Sequence, residues 1–212
     1  MDFRIFSHGG VGSKQVVKWL YPDAPANWAG AHRHDPLPPR QAPDRSRMIY
    51  VFGDPRNAAI SMFQRRDGRH ERHGFRPRTP AELDEPQPGF MMRHAANIGA
   101  DPGTMDTSWS LAQFVEAGRD LFGFEHHVDN WLSSDTDYPV VFLRYETFWE
   151  HMPAILERLG MRRPAVPFLP RRADWRAQPT EIQRGLDHIY GRLCGRLADL
   201  PDVFVLRSGQ TV

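Results

Sequence analysis

Three segments of the chain concentrate apolar residues in short runs bounded by glycine, proline or charged positions. These segments are residues 3–7 (FRIFS), 47–54 (RMIYVFGD) and 138–146 (YPVVFLRYE). The first alternates apolar and polar residues, which is typical of a strand, and the other two contain contiguous apolar runs. Contiguous runs favour strands that are buried on both faces of a parallel sheet. The pattern therefore predicts neighbouring strands that begin near Phe3, Arg47 and Pro139.

Apolar positions at helical spacing follow the predicted strands. The segments with this spacing are residues 13–20, 54–66, 110–132, 146–160 and 179–197. Ser13 suits the N-cap of the first helix, and Asp54 and Pro55 suit the N-cap and first helical position of the second. Two weaker strands are predicted, a short one within residues 27–34 and an edge strand at residues 201–206.

The alternation of strands and helices predicts a three-layer, P-loop-like α/β fold with a mostly parallel central sheet. In such sheets ligands bind at the carboxyl ends of the strands. The length of 212 residues and the hydrophobic share of 40% suit a single domain over residues 1–212. Residues 64–108 are first rich in Arg and His and then acidic and Pro-rich, which predicts a loop or lid insertion in that domain.

Composition and charge limit the cellular location and the kinds of binding partner that we expect for the protein. The formal net charge is +1, so the chain as a whole is not a polycation. Its one cysteine, Cys194, permits no internal disulfide and no cysteine-based zinc site. The first residues lack the apolar core of a signal peptide, and no stretch approaches the roughly 18 apolar residues of a membrane helix. We therefore expect a soluble cytoplasmic protein without a membrane partner.

Residues 9–14 (GGVGSK) join the first predicted strand to the first helix and contain one of the chain's two lysines. A strand, a glycine loop and a helix in this order gather backbone N–H groups around an anion, although a tight structural turn is the simpler alternative. The Walker A motif requires Gly-Lys-Ser/Thr, whereas this chain has Gly12, Ser13, Lys14 and Gln15. The lysine stands one position late and no hydroxyl follows it to hold magnesium, so an ordinary NTPase is disfavoured.

Four stretches, in this order, resemble the sulfotransferases that use 3′-phosphoadenosine 5′-phosphosulfate (PAPS). They are HGGVGSKQVVKWL (8–20), MIYVFGDPRNAAISMFQRR (48–66), the run from SLAQFVEAGRD to AILERLG (110–160) and PRRADWR (170–176). The second and third are the more specific. The resemblance implies an enzyme that needs no metal and that binds PAPS, or its product adenosine 3′,5′-bisphosphate (PAP), as cosubstrate.

The resemblance assigns cosubstrate contacts to both ends of the nucleotide. The glycine-loop backbone and the start of the following helix would hold the 5′-phosphosulfate, and later side chains would hold the 3′-phosphate. These residues are Gly10, Val11, Gly12, Ser13 and Lys14 on the 5′ side, and Ser61, Arg171 and Arg172 on the 3′ side. Lys14 is also implied as a catalytic cation, because negative charge develops on the leaving phosphate.

The chain departs from the family pattern at two positions. The family's loop lysine usually stands where this chain has Gly10, so Lys14 would approach the same oxygen from a different anchor. The arginine that opens the family's 3′-phosphate segment is replaced by Gly53, and Arg56 is the substitute offered by the sequence. Arginine makes charge-assisted contacts with phosphate, so we expect Gly53 to weaken the grip on the 3′-phosphate.

The resemblance also implies a catalytic histidine at the end of the strand before the 3′-phosphate segment. Residues 29–39 (AGAHRHDPLPP) supply His32 and His34, of which His32 is favoured. An imidazole with its ordinary pKa of about 6.5 accepts the proton of an acceptor hydroxyl at neutral pH. The expected acceptor is a hydroxyl or amine of a small molecule or glycan, which the sequence does not identify.

Two other classes of function remain open from the sequence. A non-catalytic protein that binds a nucleotide or phosphate on the same fold would fit the change at Gly53. Nucleic-acid binding through residues 64–78 ranks last, because this basic stretch has only Phe75 for base stacking and the acidic segment 82–85 follows it. Nucleic acid is therefore not expected as a partner.

Overall fold

The computed structural model describes residues 3–20, 32–41, 47–66, 91, 94–96, 98–100, 106, 108–159 and 173–207. Strands are β1 (Phe3–Phe6), β2 (His32–Arg33), β3 (Arg47–Phe52), β4 (Val140–Arg144) and β5 (Val203–Leu206). Helices are α1 (Ser13–Leu20), α2 (Pro55–Arg66), α3 (Leu111–Glu116), α4 (Phe124–Leu132), α5 (Met152–Leu159) and α6 (Thr180–Ala198), and a short 3-10 helix covers Trp175–Ala177. Of the helices in these ranges, none is long and apolar enough to cross a bilayer.

The five strands form one sheet in the order β2-β1-β3-β4-β5. Strands β1 to β4 run parallel to their neighbours, and β5 pairs antiparallel with β4 at the edge. Ile5 pairs with Ile49, which in turn pairs with Val141, and Val141 pairs with Val205. The predictions of an α/β fold, of a mostly parallel sheet and of three strong strands lying side by side are confirmed.

Strand β3 lies in the middle of the sheet, which explains its contiguous apolar sequence. Every residue from Met48 to Phe52 is buried. The Tyr50 ring lies 4.9 Å from the ring of Trp131 on α4 and 5.2 Å from that of Phe142 on β4, measured between centroids. These large apolar rings are removed from water together, so the centre of the sheet is also the centre of the core.

Helix α2 begins directly after β3, as the sequence predicted. The Asp54 side chain accepts a hydrogen bond from the Arg56 backbone N–H at 2.9 Å, and Pro55 occupies the first helical position, where no N–H is needed. The buried face of the helix includes the four expected residues Ala58, Ala59, Met62 and Phe63. The capped start of α2 therefore sits at the carboxyl end of β3.

The predicted helical segment 110–132 is divided into two helices, α3 and α4. Ser110 caps the start of α3 through its side chain. Between the helices, the Asp120 carboxylate accepts a hydrogen bond from the Glu125 backbone N–H at 3.0 Å, and Gly123 has a φ of 67°. A residue in this left-handed conformation cannot continue a right-handed helix, so the chain turns there and α4 starts anew.

The insertion predicted at residues 64–108 contributes to the core where the structure describes it. Its buried residues are Met91, His94, Ala95 and Ile98. Their spacing of three and four residues is helical, a signal hidden in the sequence by the surrounding arginines, histidines and prolines. The arginine- and histidine-rich stretch beyond residue 66 and the acidic segment 82–85 lie outside the described residues.

Candidate active site

The strand order fixes where a ligand crevice lies. The strand that follows β1 in sequence, β2, lies on one side of it, and the next strand, β3, lies on the other side. Loops that leave the two inner strands diverge at such a switch point, and open α/β sheets bind ligands there. The segments at this point are residues 7–12 after β1 and residues 53–54 after β3. They define the candidate active site.

The loop after β1 needs glycine for its conformation and for its close packing. Its left-handed residues are Gly9 (φ 87°), Gly10 (φ 65°) and Gly12 (φ 72°). A Cβ at Gly10 would lie 2.7 Å from the carbonyl oxygen of Ala58 on α2, and one at Gly12 would lie 2.3 Å from the Tyr145 ring. The loop is therefore pressed against the segments that follow β3 and β4.

Ser13 and Lys14 open helix α1 next to this loop. Ser13 is buried and Lys14 is exposed, whereas Val11 is fully buried and packs in the hydrophobic core. The first N–H groups of a helix lack partners within the helix, and the helix dipole adds partial positive charge. The start of α1 thus combines backbone donors, a hydroxyl and a nearby ammonium group, which suits an anion.

His32 contacts the helix start directly. Its Nε2 lies 2.8 Å from the Ser13 Oγ, although the two residues are 19 positions apart. The parallel pairing of β2 with β1 sets Ile5 opposite His32 and so brings the histidine to the carboxyl end of β1. The residue favoured as base and a residue of the predicted anion loop therefore form one hydrogen-bonded pair.

Two further histidines line the same end of the sheet. His34 Nδ1 lies 2.7 Å from the carbonyl oxygen of Ser7, and His94 Nε2 lies 2.9 Å from that of His8. Because a carbonyl oxygen only accepts hydrogen bonds, each of these ring nitrogens carries a proton and donates it. The His34 ring lies edge-on to both others, 4.5 Å from His32 and 4.7 Å from His94 between centroids.

A carboxylate occupies the space beside Gly53. A Cβ at Gly53 would lie 2.7 and 2.8 Å from the two carboxylate oxygens of Glu146, and the Glu146 Oε1 accepts a hydrogen bond from the Asp54 N–H at 3.0 Å. Gly53 is not among the glycines with positive φ. Its position does not demand glycine for backbone reasons, and the Glu146 carboxylate is the group that a side chain added at Gly53 would meet first.

Arg56, the substitute for the missing arginine, is engaged by acidic side chains. Its Nε and one terminal nitrogen donate to the two Asp54 carboxylate oxygens at 3.1 and 3.2 Å, and its other terminal nitrogen donates to Asp187 at 2.8 Å. The guanidinium also lies 3.9 Å from the centroid of Trp175. Burial disfavours the charged form, but hydrogen bonds to the two carboxylates raise the pKa of Arg56 above its ordinary value.

Of the remaining residues predicted to contact the 3′-phosphate, the structure describes Ser61 but not Arg171 or Arg172. Ser61 lies in the second turn of α2 and is buried, with 5% of its surface exposed. Arg171 and Arg172 lie outside the described residues. The structure thus assembles the predicted residues of the 5′ side with His32, while Ser61 is buried and Arg56 is paired with aspartates.

Sequence reasoning missed four residues that line the site, namely Ser7, His94, Tyr145 and Glu146. Three of them directly follow a strand, since Ser7 succeeds β1, and Tyr145 and Glu146 succeed β4. The general rule that ligands lie at the carboxyl ends of parallel strands was the signal that would have found these three. The fourth, His94, stands in the insertion, where no motif marks it.

Within the described ranges, no group of three or more His, Cys, Asp or Glu side chains is arranged to hold a metal ion. The polar side chains that the described residues bring to this end of the sheet are hydroxyls, histidines and carboxylates, with Lys14 exposed at the start of α1. Comparison of the chain with known protein families, with curated proteins and with solved structures found no match.

Proposed function

We propose that the protein is a P-loop-like, three-layer sulfotransferase that moves a sulfuryl group from PAPS to a hydroxyl or amine of a small-molecule or glycan acceptor. The observation that carries the proposal is the 2.8 Å contact between His32 Nε2 and Ser13 Oγ. The resemblance assigned one of these residues to proton transfer and the other to the phosphosulfate. Their direct contact, at the switch point of the sheet, supports the proposal that the two residues act on one bound cosubstrate.

The start of α1 supplies the anion-binding part of the proposed site. The glycine loop and Ser13 present backbone and hydroxyl donors, and Lys14 supplies positive charge at the exposed side of the helix start. Sulfuryl transfer resembles phosphoryl transfer, in which catalysis depends mainly on positioning and on charge stabilisation. Lys14 would offset the charge that develops on the phosphate oxygen as the bond to sulfur breaks.

His32 supplies the base. A new bond forms between sulfur and the acceptor oxygen or nitrogen, the bond between sulfur and the phosphate oxygen breaks, and His32 Nε2 takes the acceptor's proton. The Ser13 hydroxyl has one proton, which points to His32 or to a bound anion but not to both. An anion that takes this hydrogen bond leaves the Nε2 lone pair available to the acceptor.

Thermal unfolding with nucleotides tests the cosubstrate. PAP should raise the unfolding temperature more than ATP with magnesium does, because the loop lacks the Walker A hydroxyl. A ligand at a hundred times its Kd stabilises a protein by about 2.7 kcal/mol, which is readily measured. Equal shifts with both nucleotides, or a shift with neither, would count against PAPS as the donor.

Substitution of the histidines tests the chemistry. His32→Ala should lower the rate of sulfuryl transfer by about 10²–10⁴-fold and leave PAP affinity nearly unchanged, as loss of a general base does. His126→Ala is the matched control, because His126 is exposed on α4. If His34→Ala is the damaging change instead, the base is two residues later; if neither matters, His32 is not a base.

One observation favours the alternative of a non-catalytic nucleotide- or phosphate-binding protein. Arg56 is held by Asp54 and Asp187, and Gly53 lies beside Glu146, so the arginine that would replace the family's 3′-phosphate arginine is already engaged by acidic side chains. Such a protein would bind a phosphate at the glycine loop and would show no transfer with any acceptor. PAP binding without turnover across a panel of hydroxyl and amine acceptors distinguishes this alternative from the enzyme.

A further inference from the structure

His94, a buried residue of the insertion, contacts the first peptide group of the glycine loop. Its Nε2 donates a hydrogen bond to the His8 carbonyl oxygen at 2.9 Å. On the other side of the same peptide group, the Gly9 N–H donates to the Ser7 Oγ at 3.2 Å. The C=O and N–H of a planar trans peptide point in opposite directions, so the two hydrogen bonds together fix the way in which this peptide group faces.

The glycine at position 9 has little preference of its own that would keep this peptide group in one orientation. Gly9 has a φ of 87°, and glycine adopts positive and negative φ about equally readily. The His94 ring fills the space that a side chain would take, since a Cβ at Gly9 would lie 2.0 and 2.2 Å from two of its ring atoms. His94 therefore both packs on Gly9 and supplies a hydrogen bond to the peptide group before it.

The backbone that carries His94 is itself anchored. The Ile98 N–H donates to the His94 carbonyl oxygen at 3.1 Å, which closes a helical turn. The turn packs closely on the segment that follows β2, because a Cβ at Gly99 would lie 2.9 Å from the Pro36 Cβ. A side chain whose backbone is held in this way can in turn hold a neighbouring loop in place.

We propose that His94 is a positioning residue that holds the glycine loop in the conformation in which it binds an anion. The turn of the insertion that carries His94 is then a support of the loop. A loop that is already ordered loses less conformational freedom when a ligand binds, so His94 increases affinity through the loop. The anion rests on the proposed function, whereas the holding of the loop does not.

Native-state amide hydrogen exchange, followed by NMR, tests the holding of the loop without any ligand. In His94→Ala the Gly9 amide should exchange roughly three- to tenfold faster than in wild type, as loss of one hydrogen bond predicts. Ile98→Val is the matched control, because it shortens a buried side chain of the same turn. It should speed exchange of the Ile49 amide at the centre of the sheet, which reports global unfolding, and leave the Gly9 rate nearly unchanged.

Two further variants separate the hydrogen bond from the packing of the ring. His94→Gln keeps an N–H donor and should restore the wild-type rate at Gly9. His94→Phe keeps a ring without a donor; it should behave like His94→Ala and replaces that variant if the alanine protein fails to fold. An unchanged Gly9 rate in the folded alanine or phenylalanine variant, or a raised rate that glutamine does not restore, overturns the inference.

Titration calorimetry with PAP extends the test to binding. The affinity for PAP should fall by roughly three- to tenfold in His94→Ala and recover in His94→Gln, because an unheld loop must be ordered when the anion binds. Equal PAP affinity in wild type and in a His94→Ala protein with faster Gly9 exchange would overturn the inferred effect on the anion. If wild type binds no PAP, the proposed function fails, and the exchange rates still decide whether His94 holds the loop.

Discussion

At the scale of single residues, two neighbouring histidines of α4 have opposite surroundings. His126 is exposed, whereas His127 is fully buried, with its Nδ1 2.9 Å from the hydroxyl of the buried Tyr50. Burial, with a smaller contribution from nearby His34, lowers the pKa of His127 from 6.5 to about 3. In the folded protein this imidazole is therefore neutral under conditions in which an exposed histidine is charged.

The buried histidine should make stability fall in acid. Between pH 6.5 and about 3 the unfolded chain binds a proton at His127, whereas the folded protein does not. The stability that this group contributes is fully present above pH 6.5 and is lost as the pH falls through that window, by about 1.4 kcal/mol per pH unit. His127→Gln should flatten the decline by this slope in urea titrations at several pH values. His126→Gln should leave it unchanged, and an unaltered slope in the His127 variant would contradict the assignment.

Under the proposed function, Gly53 and Glu146 together should determine how the 3′-phosphate of PAP is held. An arginine placed at Gly53 alone would pair with the Glu146 carboxylate, whose oxygens lie within 3 Å of the added Cβ position. We therefore expect Gly53→Arg to change PAP affinity little. The double change Gly53→Arg with Glu146→Gln should tighten PAP binding by roughly tenfold or more, since a hydrogen bond to a charged group contributes about 1.5–3 kcal/mol.

Titration calorimetry with two nucleotides checks this expectation. Adenosine 5′-phosphosulfate has no 3′-phosphate, so its affinity should stay the same in both variants. Glu146→Gln alone is the matched control for the loss of the carboxylate. A folded double variant that binds PAP no better than wild type would show that the missing arginine does not limit binding.

At the scale of elements, Arg56 links the start of α2 to the 3-10 helix and to α6, which are distant from it in sequence. Its guanidinium pairs with Asp54 before α2, with Asp187 on α6 and with the Trp175 ring in the 3-10 helix. Hydrogen bonds to charged groups in a partly buried place contribute more than exposed ion pairs do. The partly buried pair with Asp54 therefore stabilises the start of α2, whereas the bridge to α6 ends on Asp187, whose side chain is 59% exposed, and contributes less.

Arg56→Gln should lower the free energy of unfolding by about 1–3 kcal/mol, because it leaves the partly buried Asp54 carboxylate without its cation. Arg176→Gln is the matched control. Arg176 also lies over the Trp175 ring, at 4.9 Å, but its side chain is exposed. Denaturant titration measures the free energy of unfolding of both variants. Equal decreases in the two would mean that the pairs of Arg56 with the aspartates contribute nothing to stability.

Most of the strands and helices could be predicted from the sequence, because each is encoded by a local pattern of residues. The apolar runs of β3 and β4, the Asp54 cap of α2 and the periodic face of α6 all produced the structures they predicted. The break between α3 and α4 was not predicted. It depends on a hydrogen bond to the Asp120 carboxylate and on the left-handed conformation of Gly123, and both arise only in the folded turn.

At the scale of the whole molecule, the site depends on contacts that no local pattern encodes. Ser13 meets His32 because β1 and β2 pair in parallel with one particular register. Arg56 meets Asp187 across 131 positions of sequence. The sequence predicted which residue types gather at the carboxyl ends of the strands, but the partner of each polar group is set by sheet order and by tertiary packing.

The strand that carries the candidate base is also the most weakly paired strand described in the sheet. β2 contributes two residues, His32 and Arg33, to its pairing with β1, whereas β3 pairs with β4 over five. Opening of an edge segment costs less free energy than global unfolding. The Arg33 amide should therefore exchange its hydrogen with solvent sooner than that of Ile49 in native-state exchange measured by mass spectrometry. Mild denaturant would then separate His32, the proposed base, from Ser13 while the rest of the sheet stays folded, so that any activity resting on this pair would be lost before the fold.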